Sequence, residues 1–314
     1  MMRRFLAALA CLTGPALAQE PEPVTLTIAT VDNPDMARMQ ALSGAFLAEH
    51  PGLRLEWVVL DEGTLRRQVG TEIALGGSRY DVLTLGTYEV PIWGGRGWLV
   101  PLDDLPAAYE VEDLLPPIRE ALSLEGTLYA VPFYGESSMT IHRADLLARA
   151  GVAMPEAPTW DDIRKVARAV HDPEAGPYGI CLRGKPGWGE NVALLTAMAN
   201  SLGGRWFDEA WRPELDGPAW RATLDLYLEL LALGPPGAEA RGFNETVALF
   251  RDGRCGLLID ATVAASALEG APGTLGYALA PDAGLGRRAS WLWAWALAVP
   301  ASSDAVPEAR AFVA

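Results

Sequence analysis

The sequence predicts an α/β fold in two domains, and three observations carry that reading. The chain has 314 residues, 50% of them hydrophobic, which is apolar material for two ordinary cores rather than one. Strand and helix signals alternate as β-α-β-α-β over residues 24–85, the order of a largely parallel sheet. A second α/β region follows, with a helix start at Thr159.

The elements follow in chain order. Val24 to Val31 (VTLTIATV) is a β-rich run. Asn33 fits a helix N-cap and Pro34 the first helical position, and Met36, Met39, Leu42, Phe46 and Leu47 mark one apolar side. His50-Pro51-Gly52 stops that helix. A strand over 53–60 alternates Leu53, Leu55, Trp57 and Val59 on one face. Residues 62–75 read as a helix closed by Gly76-Gly77, and Tyr80 to Leu85 as a third strand. Leu122 to Phe133 reads as a hairpin turning at Glu125-Gly126. Thr159-x-x-Asp162 is a capping signal for a helix over 160–170. A strand at 178–182, helices at 190–202, 218–232 and 244–251, and a strand at 255–260 complete the second region. The stretches 234–242 and 281–290 are loops.

Formal charge is −15 and the sequence is rich in carboxylates, which argues against nucleic acid as a partner. The N-terminus reads as a cleavable secretory signal over 1–18: Arg3 and Arg4, the apolar run Phe5 to Leu12, then Ala16-Leu17-Ala18. Cys11 raises a lipoprotein alternative, which Ala8-Leu9-Ala10 fits poorly. Cleavage would leave an acidic, exported chain with Cys181 and Cys255 as its cysteines. A pair in an oxidising compartment suggests one disulfide; two separate buried thiols is the alternative.

No catalytic signature stands out. His50, His142 and His171 lack zinc-ligand spacing, and no nucleophile elbow, phosphate loop or dinucleotide fingerprint is present. His50 and His171 read as solvated. The carboxylates leave a glycosidase pair open, but nothing in their spacing marks two of them as one. No metal site and no cofactor is expected.

Several stretches together resemble one family. GTLYAVPF (126–133), RADLLARAG (143–151) and PTWDDI (158–163) are similar to extracellular solute-binding proteins, family 1, of bacterial ABC importers. PFYGESSM (132–139), LRGKPGWGEN (182–191), GFNETVALFRDGRCGLLIDATVAAS (242–266) and WLWAWALAVPA (291–301) resemble its sorbitol/mannitol-type sugar-alcohol subgroup. The resemblance implies a two-lobe periplasmic-binding-protein fold (type II-like), each lobe a mixed sheet flanked by helices. A polyol would lie in the cleft between lobes, and the closed form would be presented to a membrane permease. It implies lobe 1 over 19–135, lobe 2 over 136–290, and 291–314 as a crossover strand returning to lobe 1. A periplasmic monomer is expected. Family members usually continue with further helices, so the C-terminus is expected to be incomplete, with Phe312 and Val313 exposed on a free helix end. An enzyme on the same cleft, glycoside hydrolase-like, and a chemosensory binding protein are the competing functions.

A polyol site should combine carboxylates or amides with aromatic faces. Asn33 ends the first strand, where open α/β sheets place ligands, and is open between that role and N-cap. Tyr88 resembles a ligand-contacting position, with a partly buried tyrosine as the alternative. Trp93 reads as packing. Glu136 lies in an apolar run between Tyr134 and Ser137-Ser138 and needs a partner, either ligand or arginine. Ser137 binds ligand or caps a turn. In 183–191, Arg183 binds hydroxyls or pairs with an acid, and Trp188 and Glu190 read as ligand-binding beside glycines that permit close approach. Asp260 ends a buried strand as cap or ligand acceptor.

Trp291, Trp293 and Trp295 share one face of SWLWAWALAVP, and Leu292, Ala294, Ala296 and Ala298 the other. Both faces are apolar, so the strand is expected to be buried on both sides. The resemblance makes Trp291 and Trp293 cleft wall and Trp295 first-lobe core.

Overall fold

A computed structural model describes residues 22–314, apart from 175 and 188. The signal segment and Trp188 therefore lie outside the described residues. The chain folds about two sheets with a cleft between them.

The first sheet begins with β1 (Val24–Val31), α1 (Pro34–Glu49), β2 (Leu53–Leu60), α2 (Glu62–Ala74) and β3 (Val82–Gly86). The three strands are parallel, with β1 central, and the last four residues of β1 are buried. β2 lies at the edge, where Arg54 and Glu56 reach solvent. Val59 is exposed too, because the apolar alternation lapses after Trp57. On α1 Met36 and Met39 are buried, whereas Leu42 is 70% exposed and does not belong to the packed stripe. The third strand starts at Val82, later than expected. Before it, the Asp81 carboxylate accepts from the Thr27 N–H at 2.9 Å and the Ser303 hydroxyl at 2.6 Å, anchoring the approach by side chain.

α3 (Glu89–Gly95) and α4 (Pro116–Ala121) lead to a hairpin of β4 (Ser123–Leu124) and β5 (Thr127–Leu128). Glu125 and Gly126 both have positive φ, 51° and 87°, as a two-residue primed turn requires. The hairpin is shorter than the sequence suggests. From Val131 the chain joins the main sheet as β6 (Val131–Glu136).

One residue later β7 (Ser138–Arg143) belongs to the second sheet. α5 (Ala144–Arg149), α6 (Trp160–Val170), β8 (Tyr178–Cys181), α7 (Asn191–Ser201), α8 (Pro218–Ala232), α9 (Phe243–Arg251), β9 (Cys255–Ala261), α10 (Ala264–Ala267) and β10 (Leu275–Leu279) follow. The capping box at α6 is present: Thr159 accepts from the Asp162 N–H and Asp162 from the Thr159 N–H. Strand order is β10-β7-β9-β8, with β8 and β9 parallel and the other pairs antiparallel. Cys181 and Cys255 are joined in a disulfide inside this lobe. His171 is not merely solvated, since its Nδ1 accepts from the Gly179 N–H at 3.1 Å.

β11 (Trp293–Ala298) returns to the first sheet and inserts between β3 and β6, antiparallel to both. The first sheet is therefore mixed, in the order β2-β1-β3-β11-β6. The strand is buried on both sides only from Ala294 onward; Leu292 is 50% exposed. α11 (Val306–Val313) closes the described chain. Contrary to expectation its apolar residues are covered. Val313 is buried, and the Phe312 ring meets Phe46 edge-on at 5.2 Å and Trp57 at 6.0 Å.

Candidate ligand-binding cleft

A cleft of about 810 Å³ opens between the sheets, within the size range of small-molecule sites. Its walls are strand ends and first helical turns. Asn33 follows β1, Glu62 opens α2, and Glu136 ends β6. From the other lobe come Arg183 after β8, Glu190 before α7, and Phe243 and Asn244 at the start of α9. These are the positions where open α/β sheets present groups to ligands.

Asn33 fills both roles the sequence left open. Its Oδ1 accepts from the Met36 N–H at 2.9 Å, capping α1, and its Nδ2 donates to the Tyr134 hydroxyl at 3.0 Å while the residue lines the cleft. Burial pushes the Tyr134 hydroxyl's titration up, so it keeps a proton to donate.

Glu136 is half-buried, and its Oε2 has no hydrogen-bond partner among the described residues. Burial first, then the nearby Asp260 and Glu62 carboxylates, push its carboxyl up to about 8 against the pull of Arg183. Arg183 lies on the wall with its guanidinium over the Phe243 ring at 4.9 Å. Burial opposes its charge, but Asp260 outweighs burial. Nε donates to Asp260 Oδ2 at 2.9 Å and Nη2 donates to Oδ1, which leaves Nη1 without a described partner. Glu190 is half-buried on the wall and accepts from the Phe243 N–H at 3.2 Å.

The aromatic wall is built from behind. Arg66 donates to Glu62 through Nε at 3.0 Å and Nη2 at 2.8 Å, and Nη1 donates to Glu89. Its guanidinium carbon lies 5.0 Å from the Trp293 ring, 5.3 Å from Trp295 and 5.5 Å from Tyr88. Glu89 also accepts from the Gly86 N–H at 3.1 Å. A Cβ at Gly86 would lie 2.1 Å from the Trp293 indole, so glycine is what lets that ring approach β3 so closely. Trp291, Trp293 and Trp295 all reach the cleft; Trp291 packs on the second core, and Trp293 and Trp295 on the first.

Across the mouth the lobes touch. The Ser266 hydroxyl donates to Asp35 at 3.3 Å, Arg38 to Glu269 at 3.1 Å, and the Asn244 amide to the Asp32 carbonyl at 3.5 Å. Such a cleft can hold a neutral polyhydroxylated molecule: carboxylates and a carbonyl-type amide accept from hydroxyls, Tyr134 and Arg183 donate, and indoles cover C–H edges. Among the described residues no group of His, Cys, Asp or Glu is placed to hold a metal ion.

Residues 31–314 match the family of bacterial extracellular solute-binding proteins. The chain belongs to that family. It is 51% identical over 311 residues to the mannitol-binding protein of Pseudomonas aeruginosa, across 97% of this chain and 71% of that one. It is 53% identical to an ABC transporter solute-binding protein of Agrobacterium vitis S4 crystallised with D-mannitol, with a TM-score of 0.89 over 92% of this chain and 71% of that one. A ribitol complex from Agrobacterium radiobacter K84 is 26% identical, with a TM-score of 0.84 over 94% and 76%.

A solute-binding protein holds its ligand unchanged, so the glycosidase reading of the carboxylates is withdrawn. Against this solute-binding cleft, several residues named from sequence stand elsewhere. Asp260 is 1% exposed and off the wall, because Arg183 and the Ala261 N–H occupy its carboxylate. Tyr88 stands behind Trp293, its hydroxyl accepting from Arg66 at 3.3 Å. Ser137 extends the β7–β9 ladder instead of lining the cleft: its N–H donates to the Thr262 hydroxyl at 3.3 Å and its carbonyl accepts from the Thr262 N–H at 2.7 Å. Trp295 is core as expected, yet its edge also forms cleft wall. The sequence reading missed Glu62, Tyr134, Phe243 and Asn244. Asp61-Glu62 follows β2 as Asn33 follows β1, so the strand-end rule points there too.

Proposed function

We propose that this solute-binding protein captures sugar alcohols of the mannitol, sorbitol and arabitol type outside the cytoplasmic membrane and delivers them to an ABC permease. The observation that carries the reading is 51% identity, over 97% of this chain, to a mannitol-binding protein. The D-mannitol complex at 53% identity supports it independently. The cleft chemistry agrees. A linear polyol lies along Trp291 and Trp293, donates hydroxyls to Glu136 and Glu190, and accepts from Arg183 and Tyr134. Asn33 orients the Tyr134 hydroxyl, Asp260 orients Arg183, and Trp188 is assigned to the same wall on sequence alone. The lobes divide as 19–135 and 136–290, with 291–314 returning to the first, in line with the sheet membership of β6, β7 and β11. The protein acts as a monomer in the periplasm after loss of residues 1–18.

A thermal-shift panel tests the reading on protein with a folded far-UV circular dichroism spectrum. D-mannitol, D-sorbitol or D-arabitol raises the melting temperature, and maltose does not. No shift with any of the three alditols would overturn it.

A further inference from the structure

The charges around the cleft do not balance. Arg66 is shared by Glu62 and Glu89, one carboxylate more than its charge offsets, and Arg183 is matched by Asp260. Lys185 is exposed at the rim, where solvent screens it. Asp32 is likewise exposed. Asp61 accepts from the Thr64 N–H and Glu245 from the Gly242 N–H, so helix N-termini hold both. The remainder, among the described residues, is Glu136 and Glu190. Glu136 ends a strand of the first sheet and Glu190 precedes α7 beside the second, both are half-buried on the wall, and neither has an arginine or lysine within ion-pair distance among the described residues. Glu190 uses one oxygen on a backbone N–H, and Glu136 Oε2 has no partner at all. Arg183 is close enough to pull both carboxyls down, yet burial wins at each.

Glu136 Oε2 has no donor and Glu190 only a backbone one, and a cation bound between them would draw the proton off Glu136 and supply the charge that burial denies it. A neutral hydroxyl supplies one hydrogen bond. An ammonium supplies three N–H donors and the charge, and charge-assisted bonds are roughly twice as strong as neutral ones. We propose that the cleft takes protonated amino-alditols, sugar alcohols with a terminal hydroxyl replaced by a primary amine, as a second class of ligand, with Glu136 and Glu190 receiving the ammonium. The proposal rests on the alditol reading above: the hydroxylated chain lies along the same tryptophans and only one end differs. The same imbalance works against anions. An alditol acid brings a carboxylate to Glu190 and to a Glu136 that offers it no cation, so its charge meets nothing that offsets it.

Titration calorimetry at neutral pH with D-mannitol, D-mannitylamine and D-mannonate tests this. The amine is protonated there, as a lysine side chain is. The expected result is an amine Kd at or below that of mannitol and a mannonate Kd about tenfold or more above it. Glu136→Gln weakens both the alcohol and the amine, the amine by about tenfold more, because the amide accepts a hydrogen bond but carries no charge. Mannitol bound more tightly than the amine by the unaltered protein overturns this inference and leaves the alditol reading standing. Equal losses on Glu136→Gln overturn the role of Glu136. Failure of mannitol, sorbitol and arabitol alike to bind overturns the alditol reading and this inference with it.

Discussion

The Glu136 carboxyl moves from its ordinary 4.5 to about 8 because burial strips it of water before Arg183 can compensate. In the folded protein it therefore holds a proton at pH values where the unfolded chain has lost it. Between about 4.5 and 8 the folded state binds more protons, so this group makes stability fall as pH rises through that window. Glu136→Gln removes the cost. The empty variant should melt higher than the parent at pH 8 and at the same temperature below pH 4.5. Melting curves that differ equally at both pH values would refute the assignment. Asp260 shows the opposite dependence on a neighbour. Asp260→Ala leaves Arg183 charged, buried and unmatched, which costs about 3–5 kcal/mol in urea unfolding. Local sequence exposes Glu136, since a carboxylate inside an apolar run demands an explanation. It does not expose the Arg183–Asp260 pair, whose members lie 77 residues apart and meet only through the sheet. Arg183 could be read from sequence as needing an acid, but not which acid.

β11 binds and supports at once. Trp293 pairs with Glu136 in the ladder and Trp295 with Tyr134 on one side and Gly86 on the other, so one strand face carries wall and core. Trp293→Leu should lower alditol affinity with little change in urea midpoint, because that ring is only partly buried. Trp295→Leu should lower both, since it is 4% exposed in the core and its edge also faces the cleft. A loss of stability at Trp293 as large as at Trp295 would contradict this division. The strands and helices themselves were mostly legible. The apolar run marks the bounds of β2, although Val59 lies exposed, and the Thr159 and Asp162 signals mark α6 to the residue. What local pattern could not supply is the insertion of β11 between β3 and β6, because a strand's partners leave no trace in its own sequence. β3 begins two residues later than the apolar run suggests: at Asp81 the N–H donates to the Thr27 carbonyl at 2.8 Å, but the Thr27 N–H is taken by the Asp81 carboxylate at 2.9 Å, a partner far away in sequence.

Two lobes were readable from length and from the repeated alternation of elements, but the cleft belongs to neither lobe alone. Its walls meet because β6 passes into β7 across Ser137 and β11 comes back, two strand connections that leave the lobes free to move about them. Two of the mouth contacts, Arg38–Glu269 and Asn244–Asp32, are exposed and contribute little, so closure draws most of its stability from the ligand itself. The Cys181–Cys255 bond bridges 74 residues of chain, all within the second lobe. Replacing both cysteines by serine should lower stability by roughly 4 kcal/mol in the chain-entropy view, with alditol affinity retained. Unfolding curves that do not change on reduction of the parent would exclude a stabilising disulfide. The covered end of α11 went unforeseen because Phe46 and Trp57, which receive Phe312, lie at the other end of the sequence.

The arrangement of Trp291, Trp293 and Trp295 has an optical consequence. Among the described tryptophans these three face the cleft, and two of them lie against the Arg66 guanidinium. Indole emission shifts with the polarity around the ring, and filling the cleft exchanges water for sugar-alcohol C–H groups against these rings. The protein thus carries its own unlabelled gauge of occupancy, one that a fluorimeter reads directly.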